Sequence, residues 1–128
     1  EVPTSRKSWC RDACVQEFLV RTSQSEVRRQ VRKRDKGVCA KCGMDCLKIQ
    51  TAIRGMSPTL RRKVVRVIGI AHYRSGTLWH ADHIVPVVHG GGALGLDNVR
   101  TLCWWDHKYE TRCLSRTRAA AKRARRCR

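Results

Sequence analysis

The side chains able to do chemistry on a phosphate are concentrated in residues 79–111, WHADHIVPVVHGGGALGLDNVRTLCWWDHKYET. Asp82 and His83 are adjacent on a short apolar run; a Gly-rich loop and Asn98 follow, and then Cys103 and His107 open a long basic segment. In that order they can supply a metal ligand, a base, a positioning amide and a second ligand. Hydrolysis of a phosphodiester needs an activated water, neutralisation of the charge that builds on the phosphate, and help for the departing oxygen. One divalent cation can provide the second and third, and a neutral imidazole the first. Asp82 is the natural hard oxygen ligand. His83 is the natural base, because imidazole titrates near working pH, and His107 could complete the metal site through a ring nitrogen.

A second set of ligands is sulfur-rich. The chain has 8 Cys. Cys39 and Cys42 form a C-x2-C knuckle closed by Gly43, while Cys103 lies far downstream beside further candidate ligands, the layout of a metal site joined across a long loop. That spacing favours zinc over disulfides and a reduced, intracellular setting. Cys10 and Cys14 make a C-x3-C pair with no partner ligands before them. They read as half of a zinc site, as two small apolar residues, or as a local disulfide.

These residues must be held by elements the sequence also signals. Ser23 with Glu26 is a capping box ahead of a helix bearing Val27 and Val31 on a narrow seam and Arg28, Arg29, Arg32 and Lys33 on a broad basic face, stopped by Gly37. Asp45 caps a helix carrying Cys46, Leu47, Ile49 and Ile53, ended by Gly55. Ser57-Pro58 starts another, with Leu60, Val64, Val67 and Ile68 as its apolar side. This helical pair, about residues 45–69, reads as an insertion between the halves of the zinc site. Its Arg61, Arg62, Lys63 and Arg66 are candidates for phosphate contact. Residues 72–76 read as a loop, and residues 78–88 as a strand broken or turned near Pro86. Gly90, Gly91 and Gly92 form a flexible turn. From Trp104 onward no Gly or Pro interrupts a helix that carries Lys108, Arg112 and Arg116.

Composition narrows the partner. A net charge of +18, from 28 Lys and Arg against 10 Asp and Glu, is self-repelling without a polyanion, so nucleic acid is the leading partner. No stretch reaches the roughly 18 consecutive apolar residues of a spanning helix, and the N-terminus lacks the apolar region of a secretory signal. With 128 residues the chain suits one compact domain with an attached arm, and its first residue, Glu1, suggests a piece of a longer protein. The expected divisions are an N-terminal arm over residues 1–22, a catalytic domain over residues 23–112, and a basic helix or tail over residues 113–128.

The run from Ala81 to Pro86, then Gly90 to Gly92, Leu96-Asp97-Asn98, Leu102-Cys103 and His107 resembles the HNH endonuclease domain of the ββα-metal class. Residues 34–43, RDKGVCAKCG, resemble the zinc-knuckle entry of the same family. The pattern is similar to bacterial and phage HNH proteins and to the HNH domain at the end of an SNF2-type annealing helicase that carries a Ran-binding-type zinc finger, in which a Cys-x3-Cys pair also precedes the knuckle. The resemblance implies an α+β fold: a ββα-metal motif with a structural zinc knuckle, flanked by basic helices. It implies that Asp82 and His107 hold a catalytic Mg2+ or Mn2+, that His83 activates water, and that Asn98 pins the loop between the strands. It further implies that Cys39, Cys42 and Cys103 bind a structural Zn2+. The family usually has Cys-x-x-Cys-His where this chain has Cys103-Trp104-Trp105-Asp106-His107, so Asp106 replaces the fourth zinc ligand. Asp106 can bind zinc as a carboxylate or merely complement the positive end of a helix; Cys46 or Cys113 could otherwise complete the site.

Three positions qualify the scheme. Strand alternation puts His80 on the face of Asp82, as a surface residue or as an extra ligand or phosphate contact, and it puts His83 on the other face unless the strand bends. Trp104 and Trp105 suit a small core better than base stacking. His72 and His89 read as loop residues without a role. The expectation is an intracellular, DNA-associated endonuclease with weak sequence preference, acting on duplex, nicked or branched DNA. A non-catalytic zinc-containing DNA-binding module and a basic RNA-binding protein are the alternatives.

Overall fold

The computed structural model describes residues 11–70 and 77–126, without the side chains of Gln16 and Arg21. Cys10, the loop at residues 72–76 and Arg128 lie outside the described residues. The elements in order are α1 (Asp12–Thr22), α2 (Gln24–Asp35), α3 (Cys46–Gly55), α4 (Pro58–Val67), β1 (Trp79–His83), β2 (Val99–Cys103) and α5 (Trp104–Arg126). β1 and β2 form a two-stranded sheet. The backbone bonds Ile84 N–H to Asn98 O and Trp104 N–H to Leu78 O, at 2.8 and 2.9 Å, make it antiparallel and set Asp82 opposite Arg100.

The helices begin where short polar side chains can satisfy free amides. Ser23 Oγ accepts from Glu26 N–H, Asp45 Oδ1 from Lys48 N–H and Ser57 Oγ from Leu60 N–H. α2 stops because Lys36 and Gly37 turn left-handed, with φ of 53° and 76°. α1 was not anticipated as a helix; it ends when Ser23 N–H bonds back to Leu19 O.

Two compact units emerge, one from residues 1–37 and 81–101, the other from residues 38–80 and 102–128. In the first, Val31, Val99, Thr101 and Asn98 are buried. In the second, Cys39, Cys46, Ile53, Val65, Ile70, Leu78, Leu102 and Cys103 make the core. Gln50 is buried with them because its side-chain oxygen takes the Leu78 N–H at 3.3 Å. On α4 the apolar side differs from the expected one: Val67 is 85 % exposed and Leu60 49 %, and Val65 faces the core instead. Arg61 is not available to phosphate as expected either, since its guanidinium donates to the carbonyls of Ile53, Arg54 and Met56 and caps the end of α3.

The segment after β1 also departs from the expected strand. β1 ends at His83, and residues 87–89, 91–93 and 96–98 form short 3-10 turns. Pro86 cannot donate to a ladder, and its carbonyl instead accepts the His89 and Gly91 amides at 2.8 and 3.1 Å. The triple glycine is therefore a folded corner.

Candidate functional site

In the first unit the corner is organised by Asn98. Its side chain is 6 % exposed and makes three bonds: it accepts from Val85 N–H at 2.8 Å and donates to Val85 O at 3.0 Å and Gly91 O at 2.9 Å. These tie the backbone that follows His83 to the start of β2. A Cβ on Gly91 would lie 1.7 Å from Val85 O and 2.8 Å from the Asn98 amide nitrogen, so only glycine allows the approach. His83 closes β1 and is half-buried. Asp82 is half-buried too, and a carboxylate oxygen lies 3.5 Å from an Arg100 guanidinium nitrogen on β2. Arg100 escaped the sequence reading, although the pairing of an acid with a cation directly across two short strands is the signal that would have found it.

The same unit holds a second arrangement that the sequence reading missed. Asp35 Oδ2 accepts from Thr101 N–H and Thr101 Oγ1 at 3.0 and 2.9 Å. Arg34 donates to Asp35 Oδ1 at 2.6 Å and reaches the Leu96 and Val99 carbonyls. The end of α2 is thereby fastened to β2, with Thr101 fully buried. The Arg34 hydrogen bond is the chief reason the Asp35 carboxyl titrates below its ordinary value; burial opposes it and the Thr101 bonds assist. On the outer face of α2, Arg29, Gln30, Lys33, Arg34 and Leu96 line an open hollow. Arg29 is also held by Glu26, whose carboxyl is pushed down to about 2 mainly by that hydrogen bond. Arg28, Arg32 and Lys33 stay on the helix surface, with Arg28 half-buried and the other two exposed.

In the second unit, Cys39, Cys42, Cys103 and Asp106 converge so that their ligand atoms all lie within 4.8 Å of one another. The Cys42 and Cys103 sulfurs are 3.8 Å apart, and the Asp106 carboxylate sits 3.1 and 3.2 Å from the Cys39 and Cys103 sulfurs. Around a tetrahedral ion with metal–sulfur bonds of about 2.3 Å, sulfurs are spaced by about 3.8 Å and a sulfur and a carboxylate oxygen by about 3.5 Å. The four residues therefore could hold a metal ion. The knuckle geometry comes from Gly43, at φ 71°, which lets the Cys39 carbonyl take the Gly43 N–H and the Cys39 N–H reach Met44 O. Cys103 ends β2 and Asp106 lies in the first turn of α5, which presents them together.

The protons on this cluster show what a cation would replace. Asp106 is held below its ordinary value by thiol hydrogen bonds, that of Cys39 foremost, and the Cys103 thiol is raised, chiefly by burial. A divalent ion would displace the thiol protons and relieve this crowding. Cys46 is not in the cluster. It is buried, its thiol is pushed up to about 11 mainly by burial, and it points to Met44 O at 3.6 Å. Cys113 is half-buried further along α5. Cys39, Cys42, Cys46, Cys103 and Cys113 are all thiols outside any disulfide.

His107, one turn into α5, stacks on His80 with ring centroids 4.1 Å apart and planes 12° from parallel. The Trp104 ring lies 5.6 Å from that of His80, tilted by 40°. His80 is thus an inner neighbour of His107 and half-buried, where the sequence reading favoured a surface residue. Trp105 is 38 % exposed and donates its indole N–H to Ile68 O at 3.2 Å, so it braces the end of α4 instead of filling the core. Lys41 of the knuckle pairs with Glu110 of α5. His89 lies exposed in a 3-10 turn, and Lys108, Arg112 and Arg116 are exposed on α5.

A short strand pair running into a helix, an Asp-His at the end of the first strand and an Asn locking the intervening corner define the HNH class of domain, and residues 69–112 match the HNH endonuclease family model. This part of the chain is an HNH-family domain, and its fold is a small α+β one. The chain is 31 % identical over 127 residues to the mouse protein named DNA annealing helicase and endonuclease ZRANB3, and 28 % identical over 127 residues to the human one. Each alignment covers 90 % of this chain and 12 % of the relative, so the chain spans about an eighth of their length. The crystal structure of the human ZRANB3 HNH domain superposes with a TM-score of 0.64 at 26 % identity, covering 80 % of this chain and 97 % of that one. Among the described residues no helix is long and apolar enough to cross a membrane.

Proposed function

We propose that this chain is a metal-dependent DNA endonuclease domain that hydrolyses phosphodiester bonds one strand at a time. The observation that carries the reading is the set of three Asn98 hydrogen bonds to the backbone just after His83, because a base must be fixed before it can be aimed. His83 takes the proton of a water whose oxygen bonds to phosphorus, the P–O3′ bond breaks as that bond forms, and the departing O3′ takes a proton from solvent water. The products carry 5′-phosphate and 3′-hydroxyl, as the family implies. Asp82 would offer a carboxylate oxygen and His107 a ring nitrogen to a divalent cation, Mg2+ or Mn2+ as the family implies. Such an ion, when bound, neutralises charge on the phosphate and stabilises the leaving oxygen. Arg100 is the ion-pair partner of Asp82 across the strands, and a cation held by Asp82 would have to share or replace it.

Cys39, Cys42, Cys103 and Asp106 hold a structural Zn2+ that fastens the knuckle to the first turn of α5; their spacing supports that reading. Arg28, Arg29, Arg32 and Lys33 of α2 and Lys108, Arg112 and Arg116 of α5 contact backbone phosphates, and because phosphate contacts carry no sequence information, sequence preference is weak. The work is done on DNA inside cells, by a piece of a longer protein. The test is supercoiled plasmid with Mg2+ or Mn2+. Nicking by the chain that vanishes in His83→Ala, with duplex binding kept, supports the enzyme, whereas binding without nicking by the unaltered chain leaves a non-catalytic module.

A further inference from the structure

Every residue from 115 to 126 of α5 is exposed, although the helix runs unbroken to Arg126. A helix that is solvated on all sides draws no stability from packing. This one also repels itself: it carries Arg116, Arg118, Lys122, Arg123, Arg125 and Arg126, and no Asp or Glu follows Glu110. Arg112 and Arg116, Arg118 and Lys122, and Lys122 and Arg126 are like-charge neighbours four residues apart.

The charges are sorted around the axis. At 3.6 residues per turn, Arg118, Lys122 and Arg125 fall in one row, and Arg112, Arg116 and Arg123 in another, the rows roughly 130° apart. Between them lie the small Ser115 and Ala119 and, near the end of the helix, Arg126, while Thr117, Ala120, Ala121 and Ala124 occupy the far side and carry no charge. A single strand or a flat acidic surface needs only one row. Two rows flanking a strip that holds only Ser115 and Ala119 until Arg126 at its end match two rows of phosphates with a groove between. The major groove of B-form DNA, about 12 Å wide, admits one α-helix, and the 12-residue segment, about 18 Å long, spans about five phosphates on each strand.

We infer that residues 115–126 form a duplex-DNA clamp that lies in the major groove, with the Arg118, Lys122 and Arg125 row on the phosphates of one strand and the Arg116 and Arg123 row on those of the other. The inference rests on the DNA reading given above and adds to it the groove and the strand pairing; Ser115 and Ala119 are too short to read base edges, and Arg126 alone in the strip between the rows has the reach to do so. The deep, narrow major groove of A-form RNA excludes the same seat.

The experiment measures the affinity of the full chain, without divalent ions, for a duplex DNA, an RNA duplex of the same sequence and the single DNA strand, over a range of KCl concentrations. Each phosphate contact contributes about 0.9 to the slope of log affinity against log salt on duplex DNA. The triple variant R118Q/K122Q/R125Q should lower that slope by about 2.7 and the double variant R116Q/R123Q by about 1.8. On duplex RNA either change should be under about 1. All five side chains are exposed, so the substitutions leave the fold intact, and circular dichroism should show helicity unchanged or raised by relief of repulsion. Unchanged slopes on DNA, or equal losses on RNA and DNA, would overturn the inference. Since no cleavage is read, a chain that fails to nick plasmid leaves this result intact, and a chain that nicks but keeps its salt slope in both variants sinks the clamp alone.

Discussion

Three consecutive glycines offer a graded test of how the corner after His83 is held. Gly91→Ala puts a methyl group 1.7 Å from Val85 O and 2.8 Å from the Asn98 side-chain nitrogen, so the corner must open and Asn98 must release at least one carbonyl. Overpacking of this kind together with the lost buried bonds costs about 3 kcal/mol. Gly90→Ala meets no atom within 4 Å but sits at φ 88°, which costs about 1 kcal/mol for a residue with a Cβ. Gly92→Ala meets only the Val87 methyl groups, at 3.4 and 3.8 Å, and should lie within about 0.5 kcal/mol of the parent chain. With a urea slope of about 1.5 kcal/mol/M, these figures predict midpoint losses of about 2 M, 0.7 M and less than 0.4 M for Gly91, Gly90 and Gly92. Urea titrations followed by circular dichroism read the order directly. On the proposed role of the corner in orienting His83, plasmid nicking by Gly91→Ala should fall more steeply than its duplex binding. Three equal losses, or a Gly92 variant as damaged as the Gly91 one, would refute the account of the corner.

Other consequences can be checked on the same chain. Asp106→Ala should release the metal from the knuckle or weaken it by about tenfold or more in a competition assay, whereas Asp106→Cys should retain it; equal metal affinity in all three chains would remove Asp106 from the cluster. A strong chelator should unfold the second unit and not merely silence the chain, seen as loss of the thermal transition. Asp35 titrates below its unfolded value, so its bonds to Arg34 and Thr101 stabilise the fold above about pH 4 and are lost as pH falls through the lowered value. Asp35→Asn should therefore be less stable at pH 7 and lose less between pH 5 and pH 2 than the parent; thermal melts across that range showing parallel curves would contradict it.

The local parts of this fold were legible because the residues that decide them are neighbours in sequence. Ser23, Asp45 and Ser57 with Pro58 announce helix starts by chemistry that acts over three residues. The absence of Gly and Pro after Trp104 was enough to outline α5. What escaped depends on partners that sequence distance hides. Asp35 and Thr101 are 66 positions apart, and neither type advertises the other. The β-branched residues around Pro86 suggested strand on both sides of a break there, but Pro86 turns its carbonyl to the His89 and Gly91 amides and 3-10 turns follow instead of a ladder. Val67 fits a helical apolar pattern and still faces water, because periodicity fixes a face only to within the spread of a half-turn. At the cysteine cluster the sequence supplied three sulfurs and left Asp106, Cys46 and Cys113 as candidates for the fourth position. Distance separates them: Asp106 lies among the sulfurs and Cys46 turns to Met44.

The central claim is that Asp82 and His107 serve one catalytic cation beside His83. Anomalous scattering at the manganese edge, from crystals of the chain soaked in Mn2+, tests it most directly. The expected result is a manganese peak about 2.1 Å from an Asp82 oxygen and a His107 nitrogen, with a separate zinc-edge peak among Cys39, Cys42, Cys103 and Asp106. A manganese ion that touches neither side chain, or only one of them with the other turned to solvent, would contradict it.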